Sequence, residues 1–247
     1  MNEALYREMY DLEERFWWFV AKRNILLHLI DRYHRPLPGR RSTACDIGCG
    51  CGALLSRLAT EFDAVGLDSS PAARQFCGQR GLEVREGHLP DAIPFQEGAF
   101  DIVVLSDVLE HVQADAASVA TAVRLLRPGG LLVCTVPAYQ WLYTRRDTFH
   151  HHYRRYGYRD FKRLFAPHPL DVQILSFYNA LLFLPMAAVR VLTRELGMDK
   201  EAPDIRVPHR ALNGALRAVF EAEKRLLPRI RLPVGGSLIS VHRRRFP

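Results

Sequence analysis

The chain has 247 residues, 48% hydrophobic and 25% charged, which excludes a disordered or fibrous polymer and leaves room for one α/β domain with an appendage. Five cysteines without paired spacing read as reduced thiols, and the acidic, amphipathic start is unlike a secretory leader, so a cytoplasmic protein is expected. The net charge of +7 is unevenly spread: residues 1–138 hold 14 Lys/Arg against 18 Asp/Glu, and residues 139–247 hold 20 against 9.

In chain order, the N-terminal segment reads as one helix. Its aromatic stripe, Phe16, Trp17, Trp18 and Phe19, runs on through Ile25, Leu26 and Leu29 until Pro36 and Pro38-Gly39 end it. Short apolar runs at 42–47, 64–67, 82–85, 101–105 and 130–136 then alternate with helical stretches at 53–61, from Pro71, and at 119–126. That alternation predicts a doubly wound, mostly parallel sheet with helices on both faces. Runs at 170–177 and 236–242 complete seven strands, with a helical insertion before the last one. The expected division is an aromatic helical cap over 1–40, a core over 41–178 and 229–247, and an insertion over 179–228 that acts as a lid or a membrane-facing element.

The string Asp46-Ile-Gly-Cys-Gly-Cys-Gly52 lies between the first strand and its helix. Gly48, Gly50 and Gly52 allow a tight turn and close backbone approach to a ligand. Alone, this loop also admits a dinucleotide. Asp46, immediately before the turn, would repel a pyrophosphate, and no lysine is present to grip a phosphate as a P-loop does. Asp68 closes the second strand 22 residues on, where a carboxylate can accept both hydroxyls of a ribose.

The strings DIGCGCGALL, GLDSS, FDIVVLSDVLEHV and LLRPGGLLVCTVP resemble, in order and spacing, the class I Rossmann-like methyltransferases that use S-adenosylmethionine. The resemblance covers about residues 42–137. It implies that Asp46, Gly48, Cys49 and Gly50 hold the methionine part of the cofactor and Asp68 the ribose. Ser69, His88 and Leu89 would flank the adenine, with Ser106 and Asp107 forming the floor near the methyl group. Where the family often has an acidic residue after the third strand, this chain has Gly87-His88-Leu89. Glu110 and His111 match the family's Glu-His pair. The later run Asp147…His152-Tyr-Arg-Arg-Tyr156, with Phe16-Trp17-Trp18 upstream, resembles a type 11/23-like bacterial subgroup with an Asp…His-x-Arg-Arg-Tyr segment.

That run follows the fifth strand, on the same sheet edge as the glycine loop, so it is where an acceptor would sit. Methyl transfer to a hydroxyl calls for alignment and for a group that takes up a proton. His152 is the first candidate, His151 the second, and Asp107 is the third residue expected to act catalytically. Arg154 and Arg155 could hold an anionic group of a small or lipid-linked acceptor. No metal is expected, because three consecutive histidines cannot easily converge on one ion and no Cys or second His pair has ligand spacing.

Residues 172–189 carry no charge, close to the length of a membrane span, but Gln173, Ser176, Asn179 and Pro185 interrupt them. Peripheral membrane contact through the insertion therefore stands beside plain packing as a reading. The leading expectation is O-methylation of a small-molecule or lipid-linked acceptor. The basic C-terminal half keeps an RNA or protein methyltransferase as an alternative. A nicotinamide oxidoreductase and a non-catalytic cofactor-binding protein are the readings from other classes.

Overall fold

A computed structural model of the chain describes residues 3–198 and 207–246. The elements are α1 (Glu3–Leu12), α2 (Trp17–Tyr33), β1 (Thr43–Ile47), α3 (Ala53–Glu61), β2 (Asp63–Asp68), α4 (Pro71–Gln79), β3 (Val84–Glu86) and β4 (Phe100–Ser106). They continue with α5 (Asp115–Leu125), β5 (Leu126–Pro137), α6 (Arg145–Phe149), α7 (Tyr158–Phe165), β6 (Leu170–Tyr178), α8 (Phe183–Glu195), α9 (Arg210–Leu226) and β7 (Ser237–Arg244).

The seven strands form one sheet in the order β3-β2-β1-β4-β5-β7-β6. β1 to β5 run parallel, while β7 pairs antiparallel with both β5 and β6. The near-continuous apolar run of β4 is what a strand covered on both faces requires. Its alternate side chains divide the core. Val103 and Leu105 join Val119, Ala122, Phe161 and Phe165 on the face covered by α5 and α7. Ile102 and Val104 join Ile25, Leu26, Leu29, Leu58 and Phe220 on the face covered by α2, α3 and α9. Strand order reverses between β1 and β4, so the carboxyl ends of these two strands open a crevice where ligands bind in such sheets.

The N-terminal segment departs from expectation by breaking into two helices at residues 13–16. The break is held from across the chain. Asn213 of α9 accepts the Trp17 amide through its Oδ1 (3.0 Å) and donates to the Arg15 carbonyl through its Nδ2 (2.8 Å). One side chain therefore satisfies backbone groups that the interruption would leave unpaired. The Glu-His pair at 110–111 lies in a single 3-10 turn, Leu109–His111.

The insertion joins the sheet through its second helix. Phe220 is fully buried and packs edge-on against Trp17 and stacked against Tyr178. Glu223 accepts the Ala180 and Leu181 amides at 2.7 and 2.9 Å, which closes the turn leaving β6. The first helix is different: α8 buries only Phe183 and Ala187, while Leu184, Val189, Leu192 and Leu196 are more than half exposed. Among the described residues no helix is long and apolar enough to cross a membrane. Residues 199–206 of the expected insertion lie outside the described residues.

Because α9 shares its core with the sheet, Phe220→Ala should destabilise the chain by about 3–5 kcal/mol in urea unfolding, the range for truncating a buried phenylalanine. A loss below about 1 kcal/mol would mean that α9 is a detachable appendage, since surface positions cost no more than that.

Candidate active site

The glycine loop turns as its residues require. Gly48 and Gly50 have φ of +70° and +56°, and a Cβ at Gly48 would sit 2.7 Å from Val108 Cγ2, so no side chain fits there. The loop is tied to the end of β2. Gly48 N donates to the Leu67 carbonyl at 2.7 Å, and Gly50 N donates to Asp68 Oδ2 at 3.0 Å. Asp68 Oδ1 accepts the Ser70 amide at 2.9 Å. Asp68 itself lines the crevice, and each of its oxygens keeps accepting capacity beyond these bonds.

Two further acids crowd this loop. Asp46 is 2% exposed; burial, with Glu13 adding to it, pushes its carboxyl up to about 8. Glu13 comes from the break between α1 and α2, and its Oε2 accepts the Ala53 amide at the start of α3 (3.2 Å). Burial raises it to about 7, with Arg80 pulling the other way. Asp46, Glu13 and Asp68 thus ring the loop with raised carboxyls, Lys22 acting on the first two, and a ligand cation placed among them would favour their ionised forms.

The floor lies at the end of β4. Asp107 adopts φ +58° and its amide reaches both the carbonyl and Oγ1 of Thr135 at 3.1 Å. Its Oδ1 accepts Thr135 Oγ1 (2.8 Å), and its Oδ2 pairs with Lys22 Nζ (2.7 Å). Burial works against ionisation here, but Lys22 and Thr135 outweigh it and hold the carboxyl below its usual value. Asp107 is thus a fixed, neutralised anion. Lys22, from α2, also lies over the Trp18 ring at 4.6 Å.

The other end of the cavity is organised by Asp147, whose side chain is 1% exposed. Its Oδ1 accepts His152 Nδ1 (3.1 Å) and Arg155 Nε (2.8 Å). Its Oδ2 caps α6 through the Thr144 amide (2.9 Å) and also pairs with Arg190 of α8. Burial opposes this charge, but His152, Arg155 and Arg190 hold the carboxyl well below the usual range. An ionised carboxylate can only accept, so His152 donates to it from Nδ1, which leaves Nε2 free of that bond.

The sequence-derived candidates separate as follows. Asp46, Gly48, Cys49, Gly50, Asp68, Ser69, His88, Leu89, Ser106, Asp107, His151 and His152 all line one cavity of about 960 Å³, together with Glu110 and His111. The Cys49 thiol turns away into a cluster with Leu55 and Cys77, so this residue offers only backbone. His151 is exposed, at φ +60°. The two arginines offered to an anionic acceptor are already engaged. Arg155 is held by Asp147, and Arg154 pairs with Asp115 at 3.0 Å; Arg154 is not part of the cavity wall. Glu13, Lys22 and Arg190 were missed. Lys22 and Arg190 come from helices, and Glu13 from the break between two, whose contact with this edge depends on long-range packing, and no spacing around them marks them out.

Comparison with known proteins agrees with this geometry. Residues 19–180 match a family described as a methyltransferase domain. Ubiquinone biosynthesis O-methyltransferase of Methylococcus capsulatus is 35% identical over 128 residues, 46% of this chain and 53% of that protein. The same-named protein of Cereibacter sphaeroides is 41% identical over 108 residues, 40% of this chain and 43% of that one. The chain thus spans about half the length, or less, of the curated relatives it matches. Among solved structures, geranyl diphosphate methyltransferase bound to GPP and sinefungin superposes with a TM-score of 0.59 at 17% identity, covering 89% of this chain and 76% of that one. A candidate methyltransferase from Bacillus halodurans gives 0.58 at 19% identity, covering 90% and 99%. At such identities the structures speak for the fold.

The raised Asp46 carboxyl makes a stability prediction. Between the ordinary value of 3.8 and about 8, the folded chain keeps a proton that the unfolded chain has lost, so stability falls as pH rises through that window. Asp46→Asn removes this titration. Its urea midpoint should therefore gain on that of the wild type as pH goes from about 5 to about 8; midpoints that stay parallel would contradict the assignment.

Proposed function

The chain belongs to the methyltransferase-domain family, and on that premise we propose that it transfers a methyl group from S-adenosylmethionine to a hydroxyl of a small or lipid-linked acceptor. The observation that carries this reading is that one cavity joins the acid-ringed glycine loop to a histidine oriented by a buried carboxylate. When bound, S-adenosylmethionine supplies a sulfonium methyl that an oxygen can displace, the electron pair of the broken carbon–sulfur bond staying on sulfur.

The residues fit that cofactor. Asp46 and Glu13, buried carboxyls beside the loop, favour an ammonium through their ionised forms. Gly48 and Gly50 admit the methionine backbone closely, and Asp68 accepts from the ribose hydroxyls. Ser69, His88 and Leu89 border the adenine end. Ser106 and the neutralised Asp107 form a floor that adds no free charge beside the sulfonium. At the other end His152 presents Nε2 to the acceptor hydroxyl and activates it, with Asp147 fixing the ring's tautomer and direction. Proximity and orientation supply most of the remaining effect.

Two observations support an oxygen acceptor with an apolar portion. The curated relatives are named for O-methyl transfer in ubiquinone biosynthesis. Met186 and Arg190 of α8 line the cavity, while Leu184, Val189 and Leu192 of the same helix, and Leu196 just after it, are exposed, the arrangement of an interfacial helix beside an acceptor entrance.

The experiment is incorporation of labelled methyl from S-adenosylmethionine into an organic-soluble bacterial extract. His152→Ala should lower the rate by about 10²- to 10⁴-fold, the range for losing an activating group, while leaving S-adenosylhomocysteine binding within about twofold of wild type. Equal loss of binding and rate would place His152 in the cofactor site instead. Leu184→Glu/Leu192→Glu should abolish co-sedimentation with vesicles containing anionic lipid; wild-type protein that ignores such vesicles removes the lipid-linked class.

A further inference from the structure

The cavity wall around Asp147 carries an excess of positive charge. Arg146, Arg155 and Arg190 all line it, and the one carboxylate among the described residues that pairs with any of them is Asp147. Arg155 and Arg190 are fully engaged, with that carboxylate and with backbone: Arg155 also donates to the Ala138 carbonyl at 3.2 Å, and Arg190 to the Leu142 carbonyl at 2.8 Å. Arg146 has neither a hydrogen bond nor an ion pair for its guanidinium among the described residues. The other acids at this end do not balance it. Asp107 is taken by Lys22 at 2.7 Å, and burial pushes the Glu110 carboxyl well above its usual range, so that side chain keeps its proton.

The fold aims this guanidinium at the cavity. Arg146 is half-buried on α6, and His150 N donates to its carbonyl at 3.0 Å, so the two side chains stand one turn apart on the same face. The His150 ring lies 6.0 Å, centroid to centroid, from that of His152, and both rings line the cavity. An oxyanion held between Arg146 and His150 is therefore within one small molecule's reach of a hydroxyl presented to His152. The local field agrees. Burial, with Arg155 and Arg146 adding to it, lowers Arg190 to about 10 although Asp147 pulls the other way. Burial, then His152 and Arg146, lower His150 to about 4. Cations that a single carboxylate offsets only in part discourage both groups from carrying charge.

We propose that Arg146 and His150 form an oxyanion subsite that receives a carboxylate or phosphate carried by the methyl acceptor itself. The acceptor is then a hydroxy acid, or a phosphate ester with a free hydroxyl. A guanidinium offers such a group two parallel N–H donors, and a neutral imidazole adds one more. A cleft wall of one sign also concentrates ligands of the other. This inference rests on the O-methyl transfer reading and names the class of acceptor. It gives the anion to Arg146 rather than to Arg154 or Arg155, because the fold has already paired those two.

The test is calorimetric titration of the full chain, saturated with S-adenosylhomocysteine, with 4-hydroxyphenylacetate and, separately, with 4-methylphenol, which lacks only the carboxylate. Expected is one site per chain for the acid, about ten- to a hundredfold tighter than for the phenol, the worth of one charge-assisted contact. Arg146→Gln should lose that preference and Arg146→Lys keep part of it, with S-adenosylhomocysteine affinity within about twofold of wild type in both. Proton NMR of the His150 ring, assigned with His150→Gln, adds a readout that a folding defect would not mimic. That ring is faced by Arg146, Asp147, His151 and His152 and, from the 109–111 turn, by His111. A bound anion should raise its titration midpoint in wild type and leave it in place in Arg146→Gln.

Two further arms separate the sources of an anion. Inorganic phosphate should compete with 4-hydroxyphenylacetate only weakly, and vesicles containing anionic lipid should sediment wild type and Arg146→Gln alike. Equal affinity for the two probes, no binding of the acid, or a preference that survives Arg146→Gln would overturn the subsite. Phosphate that competes as well as the acid itself, or vesicle binding lost with Arg146, would overturn its assignment to the acceptor. S-adenosylhomocysteine binding without preference for the acid sinks this inference alone. Failure to bind S-adenosylhomocysteine sinks the methyl-transfer reading itself.

Discussion

The site depends on carboxyls that the fold buries around the glycine loop and that Lys22 and Arg80 offset only in part. Asp46 sits on a central strand and is almost wholly enclosed. Asp68 ends the neighbouring strand, and Glu13 is brought in from the broken N-terminal helix. Burial raises all three carboxyls, so each holds its proton more readily, and a cation beside them favours the ionised forms. That single electrostatic fact separates the two cofactors that the glycines alone would admit.

The opposite end of the cavity has the reverse arrangement. Asp147 is surrounded by donors and cations from three segments: the α6 amide, His152 with Arg155, and Arg190 of α8. Such a pair network is expensive to break because removing the carboxylate leaves buried guanidinium groups unpaired. It also ties α8, whose outward face is apolar, to the orientation of His152. The cavity is therefore sensed at one end by charge and at the other by the position of a surface helix.

Much of the sheet was legible in the sequence because buried parallel strands are short apolar runs between turn residues. β1, β2 and β4 were expected within one residue of where they lie and the edge strand β3 within two, whereas β5 begins at Leu126, well before the expected run at 130–136. The loop acids Asp46 and Asp68 could be read from their place at strand ends. Glu13 and Lys22 could not, since a solvated helix face and a site residue look alike until α9 fixes the break through Asn213. The same holds for the hydrogen bond from the Tyr153 amide to the Glu110 carbonyl, which no periodicity predicts. Arg154 and Arg155 show the opposite failure: an attractive basic pair in sequence is consumed by Asp115 and Asp147 in the fold.

The central claim is that the acid-ringed loop selects a cationic, phosphate-free cofactor. Calorimetry with S-adenosylhomocysteine and, separately, with NADH tests it most directly. The account predicts saturable heat at one site per chain from the first and none from the second. Heat from NADH, or silence from S-adenosylhomocysteine, would contradict it.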